Sequence, residues 1–297
     1  MLIGVIANYN WRLTYRYNFE NNESDIRFED YVEEKVYDHL VVINFVENLS
    51  RINLKGNIYF LLQEPGHKIL HRWMHKRFTK DSIVLGAISQ SFAYLPWHVP
   101  CLGEQHLLDN KTKMVSAISS NKILLNGHVR RLELLEKLKA IISFDRFGKG
   151  NNFIQRKEEG LIPYRFSIAI ENNTVNGYFT EKILDCFLCL SIPIYSGPKD
   201  ILNYFPPDSI VNLSDVLKGN IILNEEEYIR RLPALLEARS LVMTKYNFSN
   251  GSWLSNDIKD NPRTLILEPN INRVDRIVIK LFRMFMKIFR FIQLKLV

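Results

Sequence analysis

The chain has 297 residues, of which 46% are hydrophobic and 24% are charged, so its composition excludes a disordered or fibrous protein. Its formal net charge is +7, but seven basic residues and one acidic residue lie between Arg273 and Val297. The rest of the chain therefore carries a charge of only about +1. A nearly neutral body argues against a general nucleic-acid-binding protein, which would need a basic face on the fold itself.

The first half of the chain alternates short apolar runs with helical patterns, which is typical of an α/β architecture. Its opening residues are apolar without a basic leader, so they predict a buried strand at Leu2–Ala7 instead of a signal peptide. No run approaches the roughly 18 apolar residues of a membrane span. Further strands are predicted at Asn57–Leu62, Ser82–Ile88 and Phe92–Leu95.

Apolar residues between Arg131 and Ile142 recur at helical spacing and predict a helix, after which a turn is expected at Asp145–Gly150. The architecture suggests a boundary near residue 115. We therefore expect a first lobe over residues 1–115, a second over 116–268 and a separate helix over 272–297.

The clearest pattern begins with a predicted strand at Tyr164–Ile170 and a polar loop at Glu171–Gly177. A predicted helix at Thr180–Leu190, with Thr180 as its cap, leads to a short strand at Ile192–Tyr195. Such a strand–loop–helix–strand unit places ligands at the carboxyl ends of strands, beside helix N-termini.

Several side chains that could bind a ligand or take part in catalysis lie in this loop and at the start of the helix. Lys182 stands in the first helical turn, where lysine is usually disfavoured but where an anion is stabilised. A diphosphate leaving group needs such fixed positive charge. Glu181 could accept hydrogen bonds from ribose hydroxyls. Tyr178 could form a hydrogen bond with a sugar or base, or stack on it. An incidental lysine on a solvated helix start explains the spacing alone equally well.

This segment closely resembles the signature of the α1,3-fucosyltransferases, which are glycosyltransferase family 10. The matching motifs are Ile170-Glu171-Asn172, Tyr178-Phe179-Thr180-Glu181-Lys182, Ile192-Pro193-Ile194 and Gly197-Pro198. Ile170 replaces the usual aromatic residue. The resemblance covers some 45 residues.

Three further segments are similar to the same family. By that match Arg131 contacts the diphosphate, although the adjacent Arg130 is a competing choice, and Asp145–Gly150 resembles an aspartate-x-x-glycine turn. Glu64, before Pro65 at a strand end, would be the general base that takes the acceptor's proton. Its alternative is a carboxylate that caps the following turn.

The resemblance implies two Rossmann-like lobes facing a cleft, the GT-B type, and an inverting transfer of L-fucose from GDP-fucose to a glycan hydroxyl. The implied acceptor is an N-acetylglucosamine-containing surface or lipopolysaccharide glycan. Asn172, Tyr178, Glu181, Lys182 and Arg131 would bind the donor. Other possibilities are the same fold with a different nucleotide sugar, or a membrane-bound partner-binding protein with an inactive site.

No cofactor or metal ion is expected, because the chain lacks the Asp-x-Asp pattern of metal-dependent transferases. His67, His71 and His75 have metal-like spacing, but an ordinary polar helix face is the favoured interpretation. Cys186 and Cys189 are expected to be core residues, and three cysteines do not make a disulfide scaffold.

The C-terminal segment, residues 273–297, predicts an amphipathic helix. Six of its seven basic residues follow steps of three and four and form one stripe beside a wide apolar face; they are Arg273, Arg276, Lys280, Arg283, Lys287 and Arg290. This pattern favours an anionic membrane surface over packing against the protein or a second copy. We therefore expect a peripheral enzyme on the cytoplasmic face of a bacterial inner membrane.

Overall fold

The structure is a computed structural model, and it describes residues 1–7, 25–43, 51–61, 85–88, 99, 102–121, 123, 126–174, 176–246 and 263–266. These residues form two five-stranded sheets and one antiparallel pair of strands. All neighbouring strands within each large sheet are parallel. The predicted α/β architecture with two lobes is thus confirmed, whereas the helix at 272–297 lies outside the described residues.

The first sheet has the strand order β2-β1-β3-β5-β6. Its interior strand β3 is buried along its whole length, as both faces of a parallel sheet require. The strands of the first half are β1 (Leu2–Ala7), β2 (Arg27–Asp30), β3 (His39–Ile43), β4 (Arg51–Leu54), β5 (Ile58–Leu61) and β6 (Leu85–Ile88).

The second sheet has the order β11-β10-β9-β7-β8. The chain passes from β7 to β8 on one side and then crosses to β9 on the other, so the order reverses between β7 and β9. Ligands of open parallel sheets bind at the carboxyl ends of strands beside such a reversal. The strands are β7 (Lys113–Ile118), β8 (Asp145–Phe147), β9 (Tyr164–Ile170), β10 (Ile192–Ser196) and β11 (Val211–Asn212).

Helices cover the second sheet and share its apolar core. The helices in the described residues are α1 (Glu104–Asp109), α2 (Asn126–Lys139), α3 (Glu181–Leu188), α4 (Leu213–Leu217) and α5 (Glu225–Thr244). Aromatic rings of Phe179, Phe187, Phe205 and Tyr246 pack against one another, with the Phe187 and Phe205 centroids 4.8 Å apart. None of these helices is long and apolar enough to cross a membrane.

Several predicted elements agree with the structure. The strands Leu2–Ala7 and Tyr164–Ile170 have the predicted bounds. Helix α3 begins at Glu181, and its predicted cap Thr180 accepts a hydrogen bond from the Lys182 amide. The strand predicted at Phe92–Leu95 lies outside the described residues.

Two predicted elements differ from the structure. Helix α2 begins at Asn126 instead of Arg131 and ends at Lys139 instead of Ile142. In its first turn, Gly127 packs directly on the Asn172 backbone. Asp145–Phe147 forms strand β8 instead of a turn, since it pairs in parallel with β7.

Two observations bear on the expected lobe boundaries. The boundary near residue 115 falls inside β7, and Leu107 already packs in the core of the second sheet. Residues Arg263–Ile266 form β12, which pairs antiparallel with β4 although the sequence assigned this segment to the second lobe. Backbone hydrogen bonds to β4, in the first half of the chain, determine where β12 lies. Because the two strands are so distant in sequence, no local sequence pattern predicts that they pair.

Candidate active site

Glu171 lies at the centre of the candidate site. It follows β9, is completely buried, and its amide donates to the Ser196 carbonyl at 2.8 Å. Its carboxylate accepts hydrogen bonds from the Thr180 amide at 2.8 Å and from the Thr180 hydroxyl. Because Thr180 caps α3, this carboxylate fixes the helix start against the end of β9.

Lys182 contributes the first positive charge. Its Nζ donates to Thr180 Oγ1 at 2.8 Å and to Glu171 Oε2 at 3.2 Å, and it lies 3.7 Å from Glu181 Oε1. Burial opposes the charge, but the carboxylates of Glu181 and Glu171 outweigh it and raise the pKa of Lys182. The ammonium group therefore stays charged across the physiological pH range.

Arg131 contributes the second positive charge. Its Nη1 donates to Asn172 Oδ1 at 3.0 Å and its Nη2 to the Ser120 carbonyl at 3.1 Å, while its Nε is buried without a partner among the described residues. Burial lowers its pKa, with a smaller contribution from Arg146. A guanidinium nevertheless keeps its proton in proteins.

These two cations converge on adjacent residues. Lys182 binds Glu171 and Arg131 binds Asn172, and the charge of Arg131 is among the influences that lower the pKa of Lys182. Ser120 and Asn172 follow β7 and β9, the strands where the order reverses. Positive charge is thus concentrated where the topology favours a ligand.

The start of α2 packs tightly into the same corner. A Cβ atom on Gly127 would lie 2.0 Å from the Asn172 carbonyl oxygen, so only glycine fits. Arg130, the competing choice to Arg131, donates from Nη2 to Ser196 Oγ at 2.8 Å, at the end of β10. The sequence missed Gly127 because its constraint comes from a residue 45 positions away in the chain.

Glu181 and Tyr178 lie on either side of Thr180. Burial opposes ionisation of Glu181, but Lys182 and then Lys157 lower its pKa overall. Lys157 also pairs with Asp185, one helical turn beyond Glu181. Tyr178 is buried, and the preceding residue, Gly177, has a φ of +76° and donates its amide to Asp200 Oδ2 at 2.7 Å. Asp200 is a loop anchor that the sequence did not reveal.

The Asp145–Gly150 segment divides into two parts. Asp145 accepts a hydrogen bond from the Tyr164 hydroxyl at 2.6 Å, at the amino ends of the strands and away from the cations. Gly148 and Gly150 have φ values of +113° and +86°. They let the chain turn at the carboxyl ends, where Asn151 donates to the Ser119 carbonyl.

Cys186 and Cys189 are core residues, as predicted. Cys186 and Cys189 are buried free thiols, and burial raises the pKa of Cys186 to about 12. Among the described residues, no cluster of His, Cys, Asp and Glu could hold a metal ion. Glu64 and the three histidines lie outside this part of the chain, so their roles stay predictions.

Sequence comparison finds relatives for the second lobe. Residues 108–229 match the model of "Glycosyltransferase family 10 (fucosyltransferase) C-term". An alpha-(1,3)-fucosyltransferase FucT of Helicobacter pylori is 40% identical over 62 residues, 21% of this chain and 13% of the relative. The bovine 4-galactosyl-N-acetylglucosaminide 3-alpha-L-fucosyltransferase 9 is 30% identical over 113 residues, 36% of this chain and 30% of the relative. The matches thus span less than a third of these relatives.

Structure comparison finds crystal structures of α1,3-fucosyltransferase at low identity. A complex with GDP is 17% identical with a TM-score of 0.46, covering 84% of this chain and 92% of the other. A complex with GDP-fucose is 18% identical with a TM-score of 0.41, covering 91% and 86%. The segment at residues 108–229, which holds the converging cations, is thus similar to the C-terminal part of glycosyltransferase family 10.

Proposed function

We propose that this protein transfers L-fucose from GDP-fucose to a hydroxyl of a glycan acceptor, with inversion at the anomeric carbon. The supporting observation is the convergence of Arg131 and Lys182 on the adjacent residues Asn172 and Glu171. Two fixed cations beside the starts of α2 and α3 suit a departing diphosphate.

In this proposal, each part of the donor substrate GDP-fucose has a chemically matched protein partner. Lys182 and Arg131 stabilise the negative charge that develops on the diphosphate as the glycosidic bond breaks. The ionised Glu181 accepts hydrogen bonds from the ribose hydroxyls. Asn172 orients Arg131, and Tyr178 contacts the donor. Fixed positive side chains thereby do what a metal ion does in other transferases, so no cofactor is required.

The transfer is a single displacement. The acceptor oxygen forms a bond to the anomeric carbon, the bond from that carbon to the diphosphate oxygen breaks, and Glu64 takes the acceptor's proton. We expect Glu64→Ala to lower kcat about 10²- to 10⁴-fold with an unchanged Kd for GDP. Rates at the level of the unmodified protein would contradict the role of Glu64.

The acceptor we propose is an N-acetylglucosamine-containing surface glycan such as lipopolysaccharide, and the name of the bovine relative supports an N-acetylglucosaminide. The basic segment at 273–297 would bind the anionic cytoplasmic face of a bacterial inner membrane.

A donor panel tests the proposal. The protein is incubated with GDP-fucose, GDP-mannose and UDP sugars and with a set of glycan acceptors, and products are detected by mass. We expect transfer only from GDP-fucose. Transfer from another nucleotide sugar would keep the fold but change the substrate, and a protein that binds no GDP would be an inactive partner-binding relative.

A further inference from the structure

Besides Arg131 Nε, two buried polar atoms near the loop between β9 and α3 lack hydrogen-bond partners among the described residues. They are the hydroxyl of Tyr195, whose side chain belongs to a residue only 4% exposed, and Oδ1 of Asp200. Buried polar groups are almost always paired, and an unpaired one costs about 1–3 kcal/mol. Two such atoms beside one loop therefore make this corner a candidate binding site.

Both atoms lie at the base of the loop between β9 and α3. Tyr195 pairs with Ala169, two residues before Glu171, so the side chains of Tyr195 and Glu171 emerge from the same face of the sheet. The Tyr195 ring bends towards the carboxyl edge, because its hydroxyl lies 2.3 Å from where a Cβ on Gly197 would be. Asp200 reaches the loop through its other oxygen, which accepts the Gly177 amide.

The two atoms have complementary chemistry. Burial, followed by the charges of Glu171, Tyr178 and Asp200, raises the pKa of Tyr195, so its hydroxyl keeps its proton and can donate. A carboxylate oxygen such as Asp200 Oδ1 only accepts. An alcohol both donates and accepts, so it satisfies both atoms, whereas a phosphate oxygen accepts only and would be repelled by Asp200.

We propose that the Tyr195 hydroxyl and Asp200 Oδ1 form a subsite for a hydroxyl of the donor's fucosyl group. Tyr195 donates to the sugar oxygen and the sugar hydroxyl donates to Asp200. The subsite lies at β10 and in the turn that follows it, where Asp200 contacts the loop between β9 and α3. Glu181, at the start of α3, is assigned to the ribose. Because Asp200 is only half-buried, the subsite opens towards solvent on that side. This inference rests on the proposed function.

Tyr195→Phe is the direct test, because it removes one oxygen atom and keeps the ring. We expect the KM for GDP-fucose to rise about 5- to 10-fold, as the loss of one hydrogen bond implies, while the Ki of free GDP stays unchanged. Asp200→Asn should raise the same KM, since an amide retains one acceptor for Gly177 but loses the second.

Tyr246→Phe is the matched control. The Tyr246 hydroxyl is also buried without a partner in the described part of the chain, but its ring packs against Phe179 and Phe205 in the core. The KM of this variant for GDP-fucose should equal that of the unmodified protein. Monodeoxy analogues of GDP-fucose identify the hydroxyl, because the analogue that lacks it should lose affinity with the unmodified protein but not with Tyr195→Phe.

The outcomes separate the two proposals. If the unmodified protein transfers fucose and Tyr195→Phe keeps its KM, the atoms hold a structural water and the subsite is disproved. If the Ki of GDP rises as much as the KM, they contact the nucleotide and the fucosyl assignment is wrong. If the unmodified protein binds no GDP in calorimetry, the proposed function itself fails.

Discussion

At the scale of single residues, the buried carboxylate of Glu171 organises the site. It accepts hydrogen bonds from Thr180, the cap of α3, and from the Lys182 ammonium group. The same carboxylate therefore fixes a helix start and positions a cation. Lys182 therefore has a structural role beside the catalytic role that we propose for it, and removing Lys182 alone would disturb both.

Lys182→Met is expected to lower kcat about 10²- to 10³-fold, because the developing diphosphate charge loses a fixed cation. It should also lower stability by about 3 kcal/mol, since Glu171 is left buried and unpaired. The double variant Glu171→Gln/Lys182→Met removes the unpaired charge, so denaturant unfolding should show recovered stability while kcat stays low. If turnover recovers together with stability, Lys182 is purely structural.

At the scale of elements, the start of α2 is positioned by close backbone contact. Side chains from the start of α2 donate hydrogen bonds to residues at three strand ends: Ser120 after β7, Asn172 after β9 and Ser196 at the end of β10. The orientation of Arg131 therefore depends on how closely this helix approaches β9.

Gly127→Ala tests this dependence. The new methyl would meet the Asn172 carbonyl at 2.0 Å, so α2 must shift and carry Arg131 away from its partner. Because a misplacement of about 1 Å can cost about 10²-fold in rate, we expect kcat/KM for GDP-fucose to fall by at least about 10-fold. Gly103→Ala is the control, since its new methyl would have open space and its rate should not change. Equal rates for both variants would contradict the close contact.

Helix α5 begins with an ion-pair cluster that predicts acid sensitivity. Hydrogen bonds from Arg230 and then Arg231 lower the pKa of Glu227 to about 2. A lowered carboxylate pKa stabilises the fold above the unfolded-state pKa of about 4.3, and this stabilisation is lost as pH falls towards 2. Because Arg230 is half exposed, we expect about 1–2 kcal/mol.

Glu227→Gln measures that contribution. Unfolding free energies of the two proteins should differ at pH 6 and converge near pH 2. A difference that is independent of pH would show that Glu227 acts through helix capping instead of through its charge.

At the scale of the whole molecule, the sequence predicted those features that depend on residues close together in the chain. The strand Tyr164–Ile170 and the Thr180 cap lie within one short segment, and the structure has both as predicted. The Gly127–Asn172 contact, the Asp200 anchor and the β4–β12 ladder join residues far apart in sequence. Such contacts are determined by tertiary packing, which no local period or spacing records.

The basic segment belongs to this scale too, because it would set where the enzyme works. Removing residues 273–297 should abolish sedimentation with anionic vesicles, while kcat on a soluble acceptor is retained. Neutral vesicles are the control for charge. Unchanged binding of the shortened protein to anionic vesicles would contradict a role for the segment in membrane attachment.

The antiparallel pairing of β12 with β4 also determines the order in which the molecule can be completed. During synthesis, Arg51–Leu54 emerges from the ribosome long before Arg263–Ile266. Strand β4 therefore lacks its antiparallel partner until Arg263–Ile266 has been made. Premature termination within the second lobe would leave the amino-terminal half unfinished as well, so the two halves reach their final form together.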